Sequence, residues 1–138
     1  MPAVDVVILS AQRTPIGKYG GSFQDIHPAE LGAVAARSAI ALAGLTPADV
    51  DEVVMGHGRQ AGSGPNPARQ VGHRAGVPPT SPAHTLNKAC ASGLQAIVAG
   101  AQSIALGESQ VVLAGGIESM SRMILRATVS RGARAPSL

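Results

Sequence analysis

Ala83-His84-Thr85-Leu86-Asn87-Lys88-Ala89-Cys90-Ala91-Ser92-Gly93-Leu94-Gln95-Ala96-Ile97 passes from a β-rich run into a helix assembled largely from small residues, with the chain's one cysteine at the junction. At a helix N-terminus, unpaired backbone N–H groups and the positive end of the macrodipole favour a thiolate over a thiol. An acyl-accepting cysteine needs such donors, aimed at the oxyanion that forms beside its sulfur. Cysteine is also among the most buried residue types and fills cores as a small apolar side chain. Residue type favours the filler and position favours the nucleophile, so both readings of Cys90 stand at this point.

Downstream, the helix is expected to run to Leu106 and stop at Gly107. Leu94, Ile97, Val98, Ala101, Ile104 and Ala105 share one face, while Ala96, Ala99, Gly100 and Ser103 occupy the other. A helix that is small or apolar all round is expected to be buried on all sides, between two layers. A further strand follows at Gln110–Ala114, and it enters the loop Gly115-Gly116-Ile117-Glu118-Ser119-Met120-Ser121.

Upstream, Val4-Asp5-Val6-Val7-Ile8-Leu9 has the β-branched content of a buried strand and leads into a glycine-bearing loop. Pro28 opens a helix with Leu31, Val34, Ala35, Ser38, Ala39 and Leu42 at helical spacing, ended by Gly44. Thr46-Pro47 has the form of an N-cap and first turn before a strand at Glu52–Gly56, and Asn66-Pro67 starts a short helix through Val71 and Arg74. Strands alternating with helices imply an α/β fold on a mainly parallel sheet with right-handed crossovers. Residues 1–122 are read as one domain. Residues 123–138, with no sustained period and no acid among their arginines, are read as an aberrant or disordered basic tail.

The pI near 9.8 comes from that tail. All eight acids and seven of the eleven bases precede residue 122, leaving the first 121 residues at −1. The only aromatics, Tyr19 and Phe23, lie far from the arginines and offer no stacking platform, so no nucleic-acid partner is expected. A single cysteine allows no intramolecular disulfide, and no secretion signal is evident, so a reducing cytoplasmic setting is expected. No apolar run approaches the roughly 18 uninterrupted residues of a membrane span, and no membrane partner is expected.

Four stretches in order resemble the thiolase family, specifically the acetyl-CoA acetyltransferases. They are Arg13-Thr14-Pro15-Ile16-Gly17; Gln60-Ala61-Gly62 with Asn66-Pro67-Ala68-Arg69-Gln70; Asn87 to Ile97 around Cys90; and Gly115 to Ser121. Ketoacyl synthases match the cysteine surround and the last loop less well. The resemblance implies a layered α/β fold, of which this chain is an incomplete N-terminal half that stops before the last strand. It implies that Cys90 is the acyl-accepting nucleophile and that its backbone N–H is one of two oxyanion donors. It implies that a coenzyme A thioester is the substrate, with no separate cofactor and no metal, and that the family's subunits form dimers or tetramers. The reaction would condense two acetyl-CoA to acetoacetyl-CoA, or run the reverse thiolysis.

The family's activating histidine and second cysteine lie in Gly-His-Pro and Cys-x-Gly motifs, which this chain lacks, as it lacks the loop that holds most of the coenzyme A. An inactive truncated fragment and a longer-chain 3-ketoacyl-CoA thiolase therefore remain as alternatives. Pro65 and the polar Gly56-His57-Gly58-Arg59 depart from the family pattern in a loop that contributes to its dimer contact.

Other groups read as structural. His27, His57, His73 and His84 are scattered singly, without metal-ligand spacing. His84 is separated from Cys90 by six residues of strand and turn, beyond hydrogen-bond reach. Glu118 reads as a carboxylate accepting N–H bonds in a tight loop, Lys88 as a solvated lysine, and Gly62-Ser63-Gly64 as turn chemistry.

Overall fold

The computed structural model describes residues 5–122. Helix α1 spans Pro28–Leu42, strand β1 Glu52–Gly56, helix α2 Pro67–Ala75, strand β2 Ala83–Leu86, helix α3 Ser92–Leu106 and strand β3 Val112–Gly116. The strands form one parallel sheet in the order β2-β1-β3, with Val53 opposite both Ala83 and Leu113. The parallel α/β expectation holds. The tail reading of residues 123–138 lies outside the described residues.

Local chemistry sets most boundaries. His27 caps α1 by accepting from the Ala29 N–H through Nδ1 (3.2 Å), and Pro28 supplies the first turn. Asn66, in the left-handed region at φ 42°, caps α2 by accepting from Arg69 N–H. Gly107 closes α3 at φ 77°, a conformation that suits glycine. Before β1, the Asp49 carboxylate accepts from the Thr46 hydroxyl and N–H, both at 2.7 Å, and these bonds hold its pKa below the ordinary aspartate value. Asp51 is likewise held low by the N–H groups of Val111 and Gln110, which fixes the approach to β3 against the start of β1.

Val53 and Val71 are fully buried in a core with Ile40, Met55 and Ala68, and Val54, next to Val53 on β1, is buried as well. Helices α1 and α2 pack together, and α3 packs on β1 and β3.

Three expectations are corrected. The strand read at Val4–Leu9 is not formed over the described residues. Val7, Ile8 and Leu9 are 68, 76 and 58 % exposed, and the segment faces β3 across an apolar cleft of about 560 Å³. β-Branched residues favour an extended backbone, but a strand needs a neighbour about 4.8 Å away to complete its ladder. Second, the buried face of α1 is Ala29, Ala33, Ala36 and Ile40, while Val34 and Leu42 are exposed. The smaller residues win because they permit close approach: a Cβ on Gly32 would lie 2.5 Å from Ile117 Cγ2 and 2.9 Å from Val71 Cγ2.

Third, α3 is buried on one side only. Its small face, Ser92, Ala96, Gly100 and Ser103, meets the sheet, and Leu94, Ile97, Val98 and Leu106 are exposed. All-round burial needs a layer on each side, and the described residues supply only the sheet. Residues 89–106 reach a mean hydropathy of 1.4, although Ser92, Gln95, Gln102 and Ser103 interrupt the apolar run. The helix itself has 15 residues, about 22 Å in length, which is shorter than a hydrocarbon core of roughly 30 Å.

Candidate active site

The parallel sheet delivers the ends of β1, β2 and β3 to one edge, and Cys90 stands there in the turn between β2 and α3. Its side chain is exposed, which rejects the core-filler reading. The cysteine sits two residues before the helix begins. Among the described residues its own N–H donates to no backbone carbonyl.

The turn is braced from within. Asn87 Oδ1 accepts from the Ala89 N–H at 2.9 Å, which is a side chain completing a turn two residues ahead. Buried Ser92 accepts from the Lys88 N–H at 2.8 Å and donates to the Ala89 carbonyl at 2.6 Å. Ala91 and Ser92 donate back to the carbonyls of Lys88 and Ala89, both at 3.1 Å. Together these bonds hold Ala89 at φ 49°, in the left-handed region that alanine rarely occupies. The strained residue immediately precedes the nucleophile candidate.

The turn is also pinned from below. Gly56, at the end of β1, touches the first turn of α3 so closely that a Cβ there would overlap the Ser92 carbonyl group and the Gly93 nitrogen. Asn87 Nδ2 donates to Gly58 O at 2.9 Å, tying the turn to the loop after β1. Sequence reasoning found Cys90 but missed the roles of Asn87, Ser92 and Gly56. A local Asx turn was legible for Asn87; the Gly56 contact, made between elements far apart in the chain, was not.

Three of the histidines are placed elsewhere. His84 Nδ1 lies 3.3 Å from Glu52 Oε1, and His27 caps α1. His27 has its pKa lowered by burial and by the positive charges of Arg122 and Arg74. His57 is 1 % exposed, with Nε2 3.1 Å from Glu118 Oε1, although neither ring nitrogen forms an in-line hydrogen bond. Glu118 accepts N–H bonds as expected, but from Gly58 and Arg59 in another loop, each at 3.1 Å. Lys88 reaches Gln95 Oε1 at 2.8 Å and is exposed.

An exposed thiol just before a 15-residue helix, with an N–H that has no carbonyl partner among the described residues, can accept an acyl group and offer one donor to the resulting oxyanion. Residues 6–136 match the thiolase N-terminal domain family model. The chain is 51 % identical over 117 residues to an acetyl-CoA acetyltransferase of Cupriavidus necator, covering 85 % of this chain and 30 % of that protein. It is 47 % identical over 126 residues to a probable acetyl-CoA acyltransferase of Staphylococcus aureus, covering 91 and 32 %.

Among solved structures, the Bacillus anthracis acetyl-CoA acetyltransferase superposes with a TM-score of 0.85 at 38 % identity, over 96 % of this chain and 34 % of that one. An Ascaris suum thiolase in complex with coenzyme A gives the same TM-score at 35 % identity, over 93 and 34 %. The chain thus spans about a third of the length of these relatives. With the family model covering nearly its whole length, the chain belongs to the thiolase family, as an N-terminal domain of that fold.

Proposed function

We propose that this chain carries the acyl-accepting half of a thiolase reaction, the condensation of two acetyl-CoA to acetoacetyl-CoA or its reverse. The observation that supports it is Cys90, exposed, just before a helix, with its N–H donating to no backbone carbonyl among the described residues. In the first half-reaction the Cys90 thiolate attacks the thioester carbonyl carbon, the carbonyl electrons move to oxygen, and they return to expel coenzyme A as its thiolate. The proton lost by Cys90 ends on the departing sulfur. In the second, a carbanion formed at the methyl of another acetyl-CoA attacks the S-acetyl group and releases the Cys90 thiolate. This is the two-step logic of covalent catalysis.

The second half-reaction needs a base for that methyl proton and a second oxyanion donor. His57 faces Glu118, His84 faces Glu52, and neither serves Cys90. A positioned general base contributes about 10²–10⁴ in rate. Thiolysis of acetoacetyl-CoA by the purified 138-residue chain is therefore expected to fall several orders of magnitude short of an intact acetyl-CoA acetyltransferase. Turnover approaching that of the intact enzyme would overturn this division of labour.

A further inference from the structure

Two links run across the end of the sheet in strand order, and a third carries them into the turn before Cys90. After β3, Glu118 Oε2 accepts from the Gly58 and Arg59 N–H groups that follow β1, each at 3.1 Å. From there Gly58 O accepts from Asn87 Nδ2, just after β2, at 2.9 Å. Asn87 Oδ1 then accepts from the N–H of Ala89, the residue held at φ 49° beside Cys90. Buried His57 backs the same carboxylate, 3.1 Å from its other oxygen.

We propose that Glu118 is a positioning residue for Cys90, acting through the Gly58 backbone and the Asn87 side chain. The proposal deepens the reading of Cys90 as nucleophile and rests on it for its purpose, but its geometry is independent of any acyl transfer. A carboxylate accepting two N–H groups fixes the peptide between Gly58 and Arg59, and so aims the Gly58 carbonyl. An aimed carbonyl orients the Asn87 amide, since one end of that amide must donate while the other accepts. An oriented amide holds the Ala89 N–H, and without that bond nothing from β2 opposes the relaxation of Ala89 out of its strained conformation. Relaxation of Ala89 would carry the adjoining Cys90 out of its place in the turn before α3, and so change the access of a reagent to its thiol.

The test is the second-order rate of Cys90 alkylation by iodoacetamide at neutral pH in the 138-residue chain, with far-UV circular dichroism to establish folding. Glu118→Ala and Asn87→Ala are each expected to slow alkylation about three- to ten-fold, the scale of one lost hydrogen bond. The double variant should be no slower than the slower single one, because both changes break the same path. Glu118→Gln keeps a carbonyl for both N–H groups and should restore the wild-type rate. Asn87→Asp keeps the bond to Ala89 but sets a carboxylate against the Gly58 carbonyl, and should be slow despite its matching shape.

Multiplying single effects, or an unchanged rate in Glu118→Ala, would overturn the proposal. Should Glu118→Ala not fold, Glu118→Gln against Asn87→Asp decides alone: a rate gap supports the path and equal rates overturn it. Because iodoacetamide needs no acyl chemistry, failure of the thiolase reading would show separately, as an absence of S-acylation with this pattern intact.

Discussion

Replacing Gly56 with alanine is expected to destabilise the fold by about 3 kcal/mol, the upper part of the usual range for overpacking. The added methyl would overlap the Ser92 carbonyl group and approach the Gly93 nitrogen, all of it backbone. A side chain in the way can rotate; a helix's first turn cannot move without dragging Cys90 and the small face of α3 off the sheet. Ser92, Ala96 and Gly100 are all buried on that face, and a Cβ at Gly100 would already lie 2.9 Å from Val112 Cγ1. Urea or thermal denaturation of Gly56→Ala should show a loss of this size, about 10 °C in Tm for a chain of this length. A variant that melts with the parent would mean that β1 and α3 do not meet so closely.

Ser92→Ala is the second large effect, and here the loss is of bonding. The Ser92 hydroxyl, in a residue only 3 % exposed, accepts from the Lys88 N–H and donates to the Ala89 carbonyl. Alanine leaves the Lys88 N–H without that partner and takes from Ala89 one of its constraints. The two lost hydrogen bonds together cost about 1–3 kcal/mol, and relief of the Ala89 backbone strain would return part of this by letting the turn open. The expected result is a destabilisation of about 2 kcal/mol, accompanied by faster amide exchange at Ala89 to Ser92 than elsewhere in α3. Uniform exchange along the helix would argue that the hydroxyl merely fills space.

These effects also show which parts of the molecule could be read in advance. The start of α2 at Asn66-Pro67, the stop of α3 at Gly107 and the strand at Glu52–Gly56 were legible because capping, proline and glycine chemistry acts within a few residues. Val4–Leu9 misled because a strand is made by its neighbour, and β3, the edge strand among the described residues, lies across a cleft from it. The faces of α1 and α3 misled for a related reason. Large apolar residues invite an assumption of burial, whereas the contacts made here are those that small residues allow between close backbones.

At the site, residue type and position left Cys90 between core filler and nucleophile, and its exposure removes the first of these. Its Asn87 and Glu118 supports were not legible, since Asn87 meets Gly58 across 29 residues and Glu118 meets it across 60. Pattern within a window cannot register such pairs. Topology brings them together, because a parallel sheet gathers successive strand ends at one edge whatever the length of the crossovers between them.

The central assignment is that Cys90 accepts the acyl group. It is tested most directly by incubating the 138-residue chain with acetyl-CoA and mapping its peptides by mass spectrometry, with Cys90→Ala alongside. The expected result is slow, single-turnover acetylation of Cys90, sensitive to hydroxylamine as a thioester is, with no acetylated thiol in Cys90→Ala. A folded chain whose Cys90 stays unmodified, or whose acetyl groups sit only on lysines, would contradict the assignment.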